Sequence, residues 1–130
     1  MEKLSGALER LSDSEEVVMR CIWECPQAQG LAEIVKGCEA LGKSWKTQTV
    51  STFLARLVQK GYLKSQRQGR TYLYYAKISQ EDYLSAQMSD LVNFWGKKSV
   101  GALMSAFGRT QSLSREDLKE LRDFLDELDE

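Results

Sequence analysis

Residues 46–75 read KTQTVSTFLARLVQKGYLKSQRQGRTYLYY, and within them the hydrophobic period changes at Gly61 from helical to alternating. Before the glycine, Val50, Phe53, Leu54, Leu57 and Val58 trace one stripe of a helix. Its opposite face holds Gln48, Thr49, Ser51, Thr52, Arg56 and Gln59, none of them large and apolar. Gly61 supplies a left-handed stop, with Lys60 in the last turn beside the negative end of the helix dipole. Beyond it, YLKS, the turn QRQGR and TYLYYAKI alternate, which predicts a hairpin bent at Gly69. Alternation sets Tyr72 and Tyr74 on one face and Leu73 and Tyr75 on the other, so at least one of these pairs is expected in the core.

Two helices are predicted upstream. Ser12 and Glu15 form an S-x-x-E capping box, and Val17, Val18, Cys21, Ile22 and Cys25 recur at helical spacing, giving a helix over 13–25 that Pro26 stops. Leu31, Ile34, Val35 and Cys38 mark a second, ending near Gly42, and Trp45 begins the approach to the third. Three helices followed by a hairpin with a basic tip is the order of a winged helix-turn-helix.

Charge then separates the chain into unlike regions. Between residues 40 and 80 there are eight basic residues (Lys43, Lys46, Arg56, Lys60, Lys64, Arg67, Arg70 and Lys77) and no acidic one, whereas the whole chain has a formal net charge of -1. A solvated face would mix signs, so a single-sign region interleaved with Tyr, Thr, Ser and Gln points to a polyanion, and nucleic acid fits best. A helix entering the major groove needs short polar side chains near base edges and a longer donor for guanine or phosphate. Gln48, Thr49, Ser51, Thr52 and Arg56 supply that set. Lys46, Lys60, Lys64, Arg67 and Arg70 are the candidate contacts to the DNA backbone, the last two at a wing tip held open by Gly69.

The remainder of the chain is helical in pattern. Ser79 with Asp82 starts a helix carrying Tyr83, Met88, Leu91, Val92, Phe94 and Trp95 up to Gly96. A further helix holds Val100, Leu103, Met104 and Phe107, and Ser114 with Asp117 caps the last, striped by Leu118, Leu121, Leu125 and Leu128. The predicted winged module is complete by residue 78, so the domains are expected at 1–78 and 79–130. A segment so apolar would leave an exposed patch on a monomer, which argues for a homodimer built on Leu91, Phe94, Trp95, Val100, Leu103, Met104, Phe107, Leu118, Leu121 and Leu125.

Several function classes lose support. The chain has no histidine, the commonest general base, and neither a Gly-rich phosphate loop nor a nucleophile elbow, so nothing argues for an enzyme. The three cysteines are odd in number and unsuitably spaced, which favours buried free thiols over disulfides or a metal site; no metal or cofactor is expected. The start, MEKLSGALERLSDSEE, has no signal-peptide pattern, and no stretch approaches the roughly 18 apolar residues of a membrane helix. A cytoplasmic protein without membrane insertion is expected. Two rivals fit the same pattern: a winged-helix regulator released by a small molecule between the C-terminal helices, with Phe94, Trp95 and Phe107 lining the pocket, and a winged-helix protein-interaction module without DNA.

LSDSEEVVMRCIW at 11–23, W-x3-T-V-x-T-F-L-A-R-L-x-x-K-G-Y-L from Trp45 to Leu63, GRTYLYY at 69–75 and LSREDLKELRDFL at 113–125 resemble the penicillinase and methicillin-resistance repressor family of BlaI/MecI type. The resemblance runs from Leu11 to Leu128 and its central block matches without a gap. It implies a dimeric repressor, with an N-terminal winged helix and a C-terminal dimerisation segment, on a dyad of double-stranded operator DNA. The family's base and phosphate contacts fall on Gln48, Thr49, Ser51, Thr52 and Arg56. The family's release mechanism implies a membrane-bound sensor metalloprotease that responds to β-lactam and a cleavage bond at Ala106–Phe107, where the family's usual Asn before the Phe is Ala.

Overall fold

The computed structural model describes residues 8–95, 100–110 and 112–129, with only the backbone of Val100. The elements run in the order α1 (Asp13–Trp23), β1 (Gln29–Gly30), α2 (Leu31–Ala40), α3 (Thr47–Gln59), β2 (Leu63–Gln68), β3 (Thr71–Ala76), α4 (Gln80–Trp95), α5 (Val100–Thr110) and α6 (Arg115–Asp129).

Local signals account for where the helices begin and end. Ser12 Oγ accepts the Glu15 N–H at 3.1 Å and Glu15 Oε1 accepts the Ser12 N–H at 2.8 Å, so the predicted capping box opens α1. The helix ends at Trp23, two residues short of expectation, because Glu24 is already its C-cap and Pro26 disfavours helical geometry at Cys25. Helix α2 begins without a side-chain cap from Gly30, but Glu33 Oε1 accepts the Gly30 N–H at 2.8 Å. Helices α2 and α3 are each followed by a glycine of positive φ, 91° at Gly42 and 87° at Gly61.

These three helices enclose one core. Val18, Met19 and Ile22 of α1, Ile34 and Cys38 of α2, and Val50, Leu54 and Leu57 of α3 are buried together with Tyr62 and Leu63. Gly37 lets α1 and α2 close up, since a Cβ there would stand 3.3 Å from both Cβ and Sγ of Cys21. Val58, placed on the core stripe by periodicity, lies at the stripe's edge and is 37% exposed.

The hairpin forms as predicted, and a strand that was not predicted joins it. β3 pairs antiparallel with β2 on one side and with β1 on the other, through Gln29↔Tyr74 and Gly30↔Leu73, giving the order β1-β3-β2. Neither tyrosine pair is wholly core: Leu73 and Tyr74, which face β1 across the ladder, are half-buried, while Tyr72 and Tyr75 are exposed. The architecture is mainly α with a small sheet, a winged helix-turn-helix followed by C-terminal helices.

The chain divides into two compact units between Asp90 and Leu91, not at the expected residue 78. The reason is local: Tyr83 and Ala86 of α4 are buried, each 6% exposed, and Tyr83 belongs to the core cluster. Within the second unit α5 and α6 hold no buried residue among those described. No described helix is long and apolar enough to cross a membrane.

Candidate nucleic-acid interface

Helix α3 presents two contrasting sides. Val50, Leu54 and Leu57 have no exposed surface, whereas Gln48, Thr52 and Arg56, spaced four apart, line up on the exposed side. Thr49 and Ser51 flank this file and are half-buried. Thr52 Oγ1 donates to the Gln48 carbonyl at 3.1 Å, which orients its methyl group and leaves the hydroxyl oxygen able to accept. The N-cap of α3 is Lys46, exposed and without a side-chain cap bond, and the first turn has no acid. The positive end of the dipole and a lysine therefore lie at one place, an arrangement suited to phosphate. Trp45 braces this entry by packing edge-on against Phe53, with centroids 5.1 Å apart, and the Lys43 ammonium stands 6.0 Å from the Trp45 ring centroid.

The wing supplies a second set of cations. Its two-residue loop, Gly69 and Arg70, joins the paired Gln68 and Thr71, and Gly69 takes a φ of 64°. Arg67 Nε donates to the Gly69 carbonyl at 3.1 Å and Thr71 Oγ1 to the Gln68 carbonyl at 3.1 Å, which stiffens the tip. Arg67 stands opposite Tyr72 and Lys64 opposite Tyr75, so each exposed ring has a cation as its cross-strand neighbour. Neither of the two ion pairs found among the described residues uses Arg56, Arg67, Arg70, Lys46 or Lys64.

Lys60 has different surroundings. Its Nζ lies 2.7 Å from Glu15 Oε1 and donates to the Arg10 carbonyl at 2.9 Å, with 21% of its side chain exposed. Glu15 is 2% exposed. Burial pushes its carboxyl up, but the hydrogen bond from Lys60, the Ser12 N–H and the ammonium's charge together hold it below its ordinary value of 4.5. Lys60 is thus committed to fastening the end of α3 to α1 and to the leading segment, a structural use that the charge count alone did not reveal. Tyr62 reinforces the same fastening, its hydroxyl donating to the Glu9 carbonyl at 2.6 Å. Sequence reasoning took Glu15 only as a cap, because its partner is 45 residues away.

The cysteines are free, with Cys21 and Cys38 buried and their Sγ atoms 3.7 Å apart. Burial raises both thiols, Cys38 to about 12, so they are protonated packing groups at neutral pH. No cluster able to hold a metal occurs among the described residues.

In the second unit the residues expected to pair are exposed on the single chain: Leu91, Phe94, Trp95, Met104, Phe107, Leu118 and Leu125, with Phe94 at 78%. Leu103 and Leu121 are half-buried, and the side chain of Val100 lies outside the described residues. Ala106 and Phe107 fall inside α5, where Thr110 Oγ1 donates to the Ala106 carbonyl at 3.1 Å. An open cavity of about 500 Å³ is lined by Met104, Phe107, Ser112, Leu113, Asp117, Glu120 and Leu121. Of the three aromatics expected around a ligand only Phe107 lines it; Phe94 and Trp95 pack edge-on against each other.

Comparison with known proteins adds a family. The profile described as penicillinase repressor matches residues 11–127. The penicillinase repressor of Bacillus licheniformis is 28% identical over 118 residues, spanning 91% of each chain. The methicillin resistance regulatory protein MecI of Staphylococcus aureus (strain N315) is 25% identical over 117 residues, 88% of this chain and 92% of its own. Among solved structures, the DNA binding domain of the repressor BlaI aligns with a TM-score of 0.51 at 32% identity, covering 58% of this chain and 90% of that one.

Proposed function

The chain belongs to the penicillinase repressor family, and from that premise we propose that it is a DNA-binding transcriptional repressor that acts as a homodimer on a dyad operator. The observation that carries the reading is α3 itself: Gln48, Thr52 and Arg56 file along one side while Val50, Leu54 and Leu57 are sealed in the core. A helix so anchored can enter a major groove about 12 Å wide without losing its own packing. Arg56 then offers a donor fork and Gln48 an acceptor beside a donor to base edges or phosphate, Thr49, Ser51 and Thr52 short hydroxyls, and Lys46 with the uncapped helix start a phosphate grip. Arg67, Arg70 and Lys64 on the wing hold backbone beside it. The role is binding, and no reaction is assigned to the chain.

Pairing rests on the second unit. Phe94, Trp95, Met104, Phe107, Leu118 and Leu125 are large apolar side chains left exposed, and a second copy of the same chain is the partner that covers them in a reader of paired half-sites. The same covering would take up the cavity beside Met104 and Phe107. Release by a membrane-bound sensor metalloprotease at Ala106–Phe107 is part of the proposal. Because that bond lies within α5, cutting requires the helix to open first.

Selection of bound duplexes from a random pool tests this function. An inverted repeat should be enriched, each half covering one module's footprint. A pool without enrichment, or a single unrepeated half-site, would contradict the proposal.

A further inference from the structure

Ala55 stands on the exposed side of α3, although neither charge nor polarity singles it out in the sequence. At 3.6 residues per turn it points within about 20° of Gln48, and Thr52 lies about 40° from Gln48 on the other side. Val50, Leu54 and Leu57, which have no exposed surface, fall between about 180° and 240° from Gln48 on the same wheel. Thr52 and Ala55 therefore straddle the line that runs straight out from the core. An exposed alanine needs no account in itself, because alanine is the best helix former. Its position does, since that line is the part of the helix that reaches deepest into a groove.

Thr52 is already oriented for an apolar contact there. Its Oγ1 donates to the Gln48 carbonyl at 3.1 Å, which uses the single hydroxyl proton and fixes the side-chain rotamer. What the side chain has left for a ligand is an oxygen lone pair and a methyl group. Ala55, three residues on, adds a second methyl, and the Cβ atoms of such neighbours are about 5–6 Å apart. One further methyl carbon seated between them can lie about 4 Å from both, an ordinary van der Waals contact. Gln48 one turn before Thr52 and Arg56 one turn after it are both exposed and bound this small apolar spot with polar groups.

In the major groove the base edges display donors, acceptors and one methyl group, the C5-methyl of thymine. We propose that Thr52 and Ala55 form a two-methyl seat for the C5-methyl of one thymine in each half-site, so that the centre of α3 selects this base by apolar contact. The proposal rests on the DNA-binding reading above and names a base for it.

The test uses the full chain and the duplex that it selects, with each thymine of one half replaced in turn by deoxyuridine. That exchange keeps every hydrogen-bonding group of the base pair and removes only the methyl. Wild type should lose about fourfold in affinity at one thymine position, the worth of one buried methyl, and much less at the others. Thr52→Ser keeps the hydroxyl and its bond to the Gln48 carbonyl, and should bring the thymine-to-uracil ratio at that position below about twofold. Thr52→Val restores a methyl without the hydroxyl and should restore the ratio. Ala55→Gly should lower it as Thr52→Ser does; because the ratio is taken within one protein, any loss of helix stability cancels. A wild type indifferent to the exchange at every thymine would overturn the seat, as would a selected half-site without thymine or a ratio unchanged in both Thr52→Ser and Ala55→Gly. In each of those outcomes a sequence is still selected, so the DNA-binding reading stands; that reading fails separately, when no duplex is enriched at all.

Discussion

Arg56 and Lys60 lie one turn apart on the same helix end with the same charge, and their neighbours give them different work. Arg56 faces solvent, whereas Lys60 closes on the 2%-exposed Glu15 at 2.7 Å. Arg56→Ala should weaken binding of the selected duplex by about 1–3 kcal/mol and leave thermal unfolding unchanged, measured by anisotropy titration beside a melting curve. Lys60→Met should do the reverse. Stranding a buried carboxylate costs on the order of 2–3 kcal/mol of stability, less than for a fully buried pair because Lys60 keeps 21% of its side chain in water. Glu15 adds a pH signature. Its folded carboxyl is held below the ordinary 4.5, so the pair's contribution is complete above that value and is lost as pH falls through the lower, folded one. Glu15→Gln should therefore flatten the acid limb of the melting temperature against pH, and an unchanged limb would count against the pairing. Composition identified the acid-free stretch correctly, but a total cannot tell a cation spent on a buried partner from one facing solvent.

Among the elements, those with a strong period were the legible ones. Helix α3 and the hairpin arose from the switch at Gly61 and the bend at Gly69, where the positive φ values of 87° and 64° explain why glycine punctuates both sites. β1 was not legible: two residues cannot alternate, and its pairing with β3 is a tertiary event. The end of α1 was overrun for a related reason, since Cys25 fits the apolar spacing while Pro26 disfavours helix at that residue. The wing's contribution is separable from that of α3. Replacing Arg67 and Arg70 together by Gln should lower the slope of log affinity against log salt by up to about 2 per chain, with the selected base sequence unaltered. A changed sequence preference would mean that the wing reads bases instead of gripping phosphate.

Across the whole molecule the near-zero net charge conceals a basic region between residues 40 and 80 and an acidic remainder. That segregation and the family resemblance from Leu11 to Leu128 were visible before any geometry, and the family profile matches residues 11–127. The boundary was not, because α4 reads as one continuous amphipathic helix, and only the burial of Tyr83 and Ala86 shows that its first part, through Asp90, belongs with the winged module. Under the proposed pairing, affinity for a dyad depends on linking two modest grips. The most direct measurement is the affinity of the selected dyad duplex for the full chain against a chain lacking residues 97–130, with the melting of the first unit followed in both. Paired reading predicts a loss of roughly 10² or more on truncation, with the first unit still folded and still bound to an isolated half-site. Equal affinity of the two chains for the dyad would contradict it.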